Sequence, residues 1–543
     1  MDTPFLPDAR RKGLIYQIYP KSFRDASGDG IGDLRGIIEK LPYVQSLGVD
    51  MLWLSPIFAS PMIDNGYDVS DYKATNPLFG TEDDADELFA EARKRGLRVI
   101  LDIALNHTAT AHPWFQSAID PASPFRDWYW FRRQDGERLP NNWRSIFGGP
   151  AWSPTGRGDD VYLHLFDRSQ ADLNWENPAV RAAIHDAMRF WLARGAGGFR
   201  LDVVTVISKF PDLPDAEDPR PAPLYRELAG GPRLHEYLRE MRREVFSHFD
   251  CIAIGEAPGV DAARAAKLVD PADPMLDLIY HFDLVEPARD VAGDWDRVVF
   301  KRVFSDWDRG IGPNGWNTIV IANHDLARLV SRFGDDGAHW RESATLLLTL
   351  LFTLRGTPFL YQGDELGMTN CPFESMAELD DVWAKTTYRL KRERGASEAD
   401  AFAAARTMTR DHARTPMQWS DGPHAGFSSA TPWLRVNPDA AHRNAAAEDG
   451  DATSPLNYTR RLSALRRADP LWTDGDFVDR APDHPDVFAF ERTHAGRRGL
   501  VVLNLRGRAT QSPIPLPETA PVLSNVAGRG QTLQPWEARV YVE

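Results

Sequence analysis

What most constrains this chain is a series of eight short, almost unbroken apolar runs: "LIYQIYP" (14–20), "DMLWLSP" (50–56), "LRVILDIALNH" (97–107), "GGFRLDVV" (197–204), "CIAIGE" (251–256), "LIYHFDL" (278–284), "WNTIVIANHD" (316–325) and "TPFLYQG" (357–363). Apolar runs that do not alternate with polar residues are strands covered on both faces. Between several of them lie segments with helical periodicity, such as "DADELFAEARKRG" and "VRAAIHDAMRFWLARG", each closing on a glycine as helices commonly do. Strands buried on both faces and separated by helices predict an α/β fold, a (β/α)8 TIM barrel rather than an open sheet.

Two connections are too long for simple loops. Residues 108–174, rich in Trp, Pro, Gly and Asn, separate the third strand from the next helix. A segment of that size inside a compact domain is a lid or small subdomain. A second, charged insertion runs from about 370 to 425. After the helical stretch "LNYTRRLSALRRADP", the remainder alternates in the β manner, as in "DVFAFERTH" and "GLVVLNLRG". The expected layout is a barrel over 1–107 and 175–468, an inserted subdomain over 108–174, and a C-terminal antiparallel β-sandwich domain over 469–543.

Charge and cysteine usage exclude several function classes. The formal net charge is -15, whereas nucleic acid and anionic membranes both require a basic face. No nucleic-acid or membrane partner is expected. The longest apolar stretch, "ATLLLTLLFTL", is too short to span a bilayer, and "MDTPFLPDARRKG" has no apolar core of a secretory signal. Cys251 and Cys371 lie far apart, in neither metal-ligand nor redox spacing, so a reducing, cytoplasmic setting is expected.

In a TIM barrel the reactive face lies at the C-terminal strand ends. The predicted strands end there in Asn106 and His107, in Arg200 and Asp202, in Glu256, and in Asn323, His324 and Asp325. A carboxylate within an apolar strand is costly, but at the rim it faces a cleft while its neighbours pack the barrel. Cleaving a glycosidic bond needs one carboxylate ionised as nucleophile and a second protonated for the leaving oxygen. Arg200 shares a strand face with Asp202, so it is expected to lower that carboxyl's pKa and mark Asp202 as the nucleophile. Burial at the end of "CIAIGE" marks Glu256 as the acid. Asp325 is left to stabilise a positively charged transition state.

The motifs "DIALNH", "GFRLDVV", "IGE" and "IANHD" resemble, in order and spacing, the four strand-end motifs of the α-amylase family of retaining glycoside hydrolases. "IYQIYPKSF", "NGYDVSDY", "QADLNWENP", "GTPFLYQGDELGMTN" and "RTPMQW" are similar to its oligo-1,6-glucosidase and α-glucosidase branch, so the likeness covers nearly the whole chain. The resemblance implies Asp202 as nucleophile, Glu256 as general acid/base and Asp325 as transition-state stabiliser. It also implies a small oligosaccharide or α-glucoside substrate, with Asp64, Tyr67, His107, Arg200, His324 and Arg414 around its terminal glucose. Phe147, Phe166 and Gln170 belong near the same pocket. Asp64 and Arg414 are expected to close the pocket end, which favours exo-action. Val203 follows the nucleophile, where α-1,6-acting relatives tend to have valine and α-1,4-acting ones threonine or alanine.

"RDASGDGIGD" offers oxygens at Asp25, Ser27, Asp29 and Asp33, with the Ile31 carbonyl between them. It lacks the terminal glutamate of an EF-hand, since the twelfth position is Gly36. The resemblance implies one structural Ca2+ here and no organic cofactor. Three alternatives stay open. "PNNWRSIFGG" and "QADLNWENPAVRA" also resemble trehalose-6-phosphate hydrolases, although "APGVDAARAAKLVDPADPMLD" lacks the basic cluster a phosphate calls for. "HFDLVEPARD" and "DDGAHWRESA" resemble sucrose isomerase-like glucosyltransferases, with "EPARD" where those have an Arg-rich signature. A non-catalytic sugar-binding homologue would lack one of the three carboxylates. Transglucosylation is open to any retaining enzyme, because water and a sugar hydroxyl compete for one covalent intermediate.

Overall fold

The structure, a computed structural model, describes residues 12–284, 295–313 and 315–543; the "EPARD" stretch lies outside them. All eight apolar runs supply strands to one parallel sheet: β1 (Ile15–Ile18), β2 (Met51–Leu54), β3 (Arg98–Ala104), β4 (Gly198–Asp202), β5 (Ile252–Glu256), β6 (Leu278–Tyr280), β7 (Thr318–Ile319) and β8 (Thr357–Tyr361). Their spatial order is β6-β5-β4-β3-β2-β1-β8-β7. A side chain helps close the remaining seam, where the Thr318 hydroxyl donates to the Ile279 carbonyl at 2.9 Å. Each strand is shorter than the run that predicted it. The extreme case is β7, which keeps two residues and leaves Asn323–Asp325 in the loop beyond it.

Period-2 alternation sorts the strand residues into two cores. Ile15, Met51, Trp53, Ile100, Ile254 and Phe359 fill the barrel interior, while Leu52, Leu54, Val99, Leu101 and Leu201 pack outward among the helices. Register then builds the site. Asp102 on β3 lies opposite Arg200 on β4, and Glu256 on β5 lies opposite Tyr280 on β6. The helices read in the sequence form between strands. Thr81 and Asp84 make a reciprocal capping box for Glu82–Lys94, and Gly195, at φ 116°, ends Pro178–Arg194. Among the described residues, no helix is long and apolar enough to cross a membrane.

The first insertion carries a three-stranded antiparallel sheet, Phe131–Arg133, Asp160–Leu163 and Trp152–Pro154. Its aromatic core, with Trp130, Trp143, Phe147 and Phe166, runs directly into Val203 and Val206 beyond β4, so it sits over the active face. The second insertion folds as helices Val382–Glu393 and Glu398–Met408. The C-terminal region forms a five-stranded antiparallel sheet and a separate two-stranded one. Buried cations hold it to the barrel. The Lys301 amine donates to the carbonyls of Ala481 (2.7 Å), His484 (2.5 Å) and Val487 (3.1 Å), and Arg492 donates to the Thr353 carbonyl at 2.6 Å.

Two buried acids sit outside the catalytic cleft. Burial pushes Asp364 and Glu448 up to about 8; Glu448 accepts from the Leu456 amide at 3.1 Å through one oxygen, and the other lacks a hydrogen-bond partner among the described residues. Their folded values lie above the ordinary carboxyl value of roughly 4. The stability they contribute is therefore complete below pH ~4 and is lost as pH rises towards 8. Glu448→Gln, neutral throughout, is expected to raise Tm over wild type more at pH 9 than at pH 5. An equal gain at both values would contradict that origin.

Candidate active site

Arg200 is fully buried at the centre of the strand ends. One terminal nitrogen reaches Asp102 at 2.7 Å and Asp202 at 2.6 Å. The other reaches Glu256 at 2.6 Å and the Tyr280 hydroxyl at 2.6 Å. Strands β3, β4, β5 and β6 thus meet on a single cation. Asp102 also accepts from the Trp53 indole at 3.0 Å and the Tyr67 hydroxyl at 2.8 Å, and burial pushes its carboxyl up to about 6. The sequence reading passed over Asp102. Its signal was the one used for Asp202, a lone carboxylate in an apolar strand.

Asp202 and Glu256 meet on Arg200 from adjacent strands, each 2.6 Å from the guanidinium, and two carboxyls held on one cation suit the close spacing of retaining glycosidases. Arg200 lowers the Asp202 pKa as expected but does not prevail. Burial raises that carboxyl well above the usual range, and the neighbouring charges of Glu256 and Asp102 reinforce the rise. Glu256 accepts from Tyr280 at 2.5 Å and from the Val203 amide at 2.8 Å. Val203 makes that bond from a left-handed conformation, φ 38° and ψ 40°. A β-branched residue is strained there, and the strain aims its N–H at the acid.

Asp64 and Tyr67 enter from the loop after β2, His107 from beyond β3, and Gln170 from the insertion. The Gln170 amide joins Asp64 and His107 at 3.1 Å each. Tyr67 lies flat against His324, with ring centroids 5.3 Å apart, and its hydroxyl meets the imidazole at 2.7 Å. Burial holds both histidines neutral, His107 at about 4 and His324 at about 3. Asp325 is the opposite case. His324, Arg410, Arg414 and Arg200 overcome its burial and hold it well below the usual carboxylate range.

One expected partner is corrected. The cation that meets Asp64 is Arg410, at 2.7 Å, not Arg414. Arg414 lies wholly buried behind the site, where it donates to the His324 carbonyl at 3.1 Å and to Asp325 at 3.0 Å. The two arginines are one helical turn apart at the ends of Asp411–Arg414, and the earlier one faces the cleft. Asp381 fixes it, accepting from the Arg410 guanidinium at 2.6 Å. Asp381 and Tyr280 are further residues that sequence reasoning missed, because each acts through another side chain.

These groups line one cavity of about 680 Å3. Asp64, Tyr67, His107, Phe147, Phe166 and Gln170 share its wall with Asp202, Val203, Glu256, Asp325 and Arg410. Arg200 and His324 lie behind the wall and act through the residues they hold.

In the loop at 25–33 the chain's own donors engage the carboxylates. Asp25 accepts from the Ser27 hydroxyl (3.0 Å), the Gly28 amide (2.6 Å), the Gly30 amide (2.8 Å) and the Ser428 hydroxyl (2.5 Å). Asp33 accepts from the amides of Ala26, Ser27 and Gly36, and Asp29 from that of Ile31. Among the described residues no three His, Cys, Asp or Glu side chains are placed to hold a metal. The loop is also a clasp on residues 427–433, where the Asp25 amide meets the Phe427 carbonyl and the Trp433 amide meets that of Gly30, both at 3.0 Å.

Comparison with known proteins agrees with this geometry. Residues 17–475 match the model of the alpha amylase catalytic domain. The chain is 41% identical to the oligo-1,6-glucosidase of Halalkalibacterium halodurans over 98% of both chains. It is 40% identical to the trehalose-6-phosphate hydrolase of Bacillus subtilis, over 98% of this chain and 97% of that one. The crystal structure of isomaltulose synthase from Klebsiella sp. LX3 superposes with a TM-score of 0.94 at 38% identity, over 99% of each chain. The family match, together with the carboxylates at the strand ends of the (β/α)8 barrel, identifies a glycoside hydrolase. The chain belongs to the α-amylase family.

Two measurements test these assignments. Tyr280→Phe removes a donor to the Glu256 carboxylate, and kcat/KM is expected to fall about tenfold, the value of one charge-assisted hydrogen bond. An unchanged kcat/KM would make Tyr280 merely structural. For the clasp, Tm is expected to be the same in excess EDTA and in added Ca2+, and a calcium-dependent rise would restore the metal.

Proposed function

We propose that this protein is an exo-acting, retaining α-glucosidase that releases glucose from the non-reducing end of short α-glucosides, with a preference for the α-1,6 linkage. The observation that carries this reading is the buried Asp64–Arg410 ion pair, 2.7 Å apart, in the wall of the same cavity as Asp202 and Glu256. Such a pair bars the way for a chain beyond the terminal glucose, so cleavage is limited to one residue from the end. Asp64, Arg410, His107 and Gln170 offer donors and acceptors to the ring hydroxyls.

With substrate bound, Glu256 gives a proton to the glycosidic oxygen as Asp202 attacks the anomeric carbon. Asp325 remains ionised and stabilises the oxocarbenium-like transition state. Glu256 then takes a proton from water as that water displaces Asp202, and configuration is retained. Tyr280 and the Val203 amide hold the Glu256 carboxyl in place for both steps. Linkage preference rests on Val203, which presents methyl groups rather than a hydroxyl beside the leaving group. The buried thiols Cys251 and Cys371 suit a reducing compartment.

A second reading, hydrolysis of trehalose 6-phosphate, is favoured by two arginines at the cavity mouth, Arg220 and Arg226. Against it, Arg220 already grips Asp218 at 2.9 Å.

The test is kcat/KM on isomaltose, maltose, trehalose and trehalose 6-phosphate for wild type and Val203→Thr. Threonine keeps the β-branch and the amide, so it changes only polarity. Isomaltose is expected to lead, and the substitution to move the isomaltose-to-maltose ratio by about tenfold or more towards maltose, the scale of one pocket contact. The first anomer of glucose seen by NMR is expected to be α. A β-anomer would reject the mechanism, and a lead for the phosphorylated sugar would favour the second reading.

A further inference from the structure

Arg410 is gripped by two carboxylates from separate loops, Asp64 at 2.7 Å and Asp381 at 2.6 Å. Their neighbours in sequence, Asn65 and Asp380, meet a second cation. Lys21, on the short helix Pro20–Phe23 that follows β1, donates through its amine to the Asn65 side-chain carbonyl at 2.8 Å and to the Asp380 carboxylate at 3.5 Å. The amine also stands 3.6 Å from the centre of the Trp433 ring. An ammonium carries three donors, and here each has its own partner. The two loops are thus bridged twice, by Arg410 in the cavity wall and by Lys21 outside it.

Asp64 sits in a turn, not in a strand or helix, so its carboxylate lies where the anchors of that turn place it. Asn65 is buried in the left-handed region at φ 50°, and a backbone of that kind persists only when its surroundings determine it. Asp68 anchors the turn locally, accepting from the Asp64 amide at 3.0 Å. Lys21 ties it to the second loop. There, one Asp411 oxygen accepts from the amides of both Asp380 and Asp381, at 2.7 and 3.0 Å. A shift of Asp380 therefore moves Asp381, and with it Arg410. Trp433 is itself set by the clasp, since its amide meets the Gly30 carbonyl and its indole donates to the Ser22 hydroxyl at 3.1 Å.

We propose that Lys21 is a positioning residue for the terminal-glucose pocket: by joining Asn65 to Asp380 over the Trp433 ring, it sets where Asp64 and Arg410 present their hydrogen bonds to the sugar. The proposal rests on the α-glucosidase reading above. Lys21 touches neither the sugar nor the reacting carboxyls. Without its amine, Asp380 is left to Lys385 at 2.9 Å and the Asn65 amide at 3.5 Å, and the Asn65 carbonyl loses its cation. Arg410 keeps Asp64, Asp381 and Asp325, so the pocket survives while its geometry loosens. Hydrogen bonds weaken steeply with misalignment. Those made alike to bound substrate and transition state register in KM and leave kcat unchanged.

The experiment measures kcat and KM on the better substrate of isomaltose and maltose, together with the competitive inhibition constant of glucose, well below each variant's Tm. Lys21→Met keeps the stem and removes the donors. It is expected to raise KM and the glucose inhibition constant together by about tenfold, the scale of one charge-assisted hydrogen bond, with kcat little changed. Lys21→Arg keeps the cation and is expected to return both constants close to wild type. Trp433→Leu removes the ring beside the amine, and both constants are expected to rise about threefold, the scale of a cation–π contact. A lowered Tm in Lys21→Met with both constants unmoved makes Lys21 a structural support and overturns the proposal, as does Lys21→Arg impaired to the same degree as Lys21→Met. Should Lys21→Met fail to fold, unmoved constants in Trp433→Leu overturn it equally. Each of these results leaves the α-glucosidase reading intact, whereas a wild-type enzyme inactive on both sugars overturns both.

Discussion

The site depends on one buried guanidinium. Moving an unpaired arginine into a barrel interior costs several kcal/mol even after relaxation, and Arg200 offsets that cost by meeting Asp102, Asp202, Glu256 and Tyr280 at 2.6–2.7 Å. Four neighbouring strands are thereby fixed at their C-terminal ends. The rings of Trp53, Tyr67 and Tyr280 stand 5.2, 5.8 and 5.5 Å from the cation. Removing Arg200 would leave three carboxylates facing one another without a cation, so the catalytic groups and the barrel rim share one support.

The same arrangement crowds negative charge. Three carboxyls meet one guanidinium, and burial, reinforced by the charges of Glu256 and Asp102, raises the Asp202 carboxyl. The second cluster, around Asp325, is built in the opposite sense, with Arg410, Arg414 and neutral His324 holding one carboxylate permanently charged.

Much of this was legible in the sequence because barrel strands and strand-end motifs are local signals. Eight apolar runs produced eight strands, and His107, Asp202, Glu256 and Asp325 came together on one face. What stayed hidden depends on register and on helical phase. Arg410 and Arg414 have the same composition and are separated by a single turn, so only the path of the backbone shows which one reaches Asp64. The raised carboxyl of Asp202 escaped for a similar reason. An arginine two residues away is visible in a string of letters, whereas the desolvation that outweighs it belongs to the packed interior. Tyr280 was hidden because its function comes from facing Glu256 across β5 and β6. The loop of Asp25, Asp29 and Asp33 shows the reverse, since oxygen-bearing residues at a metal-like spacing also accept from the loop's own amides and hydroxyls.

The cations that join the barrel to the C-terminal sheet impose an order on biosynthesis. Lys301 leaves the ribosome long before the carbonyls of Ala481, His484 and Val487 that will surround it, and the Thr353 carbonyl waits in the same way for Arg492. Until those late residues emerge, a charged amine and a helix end must remain in water rather than in a dry interface. The nascent barrel therefore reaches its final packing only after residues 481–492 have emerged. A ribosome stalled before that point would hold a chain with every catalytic residue already made and that face of the barrel still wet.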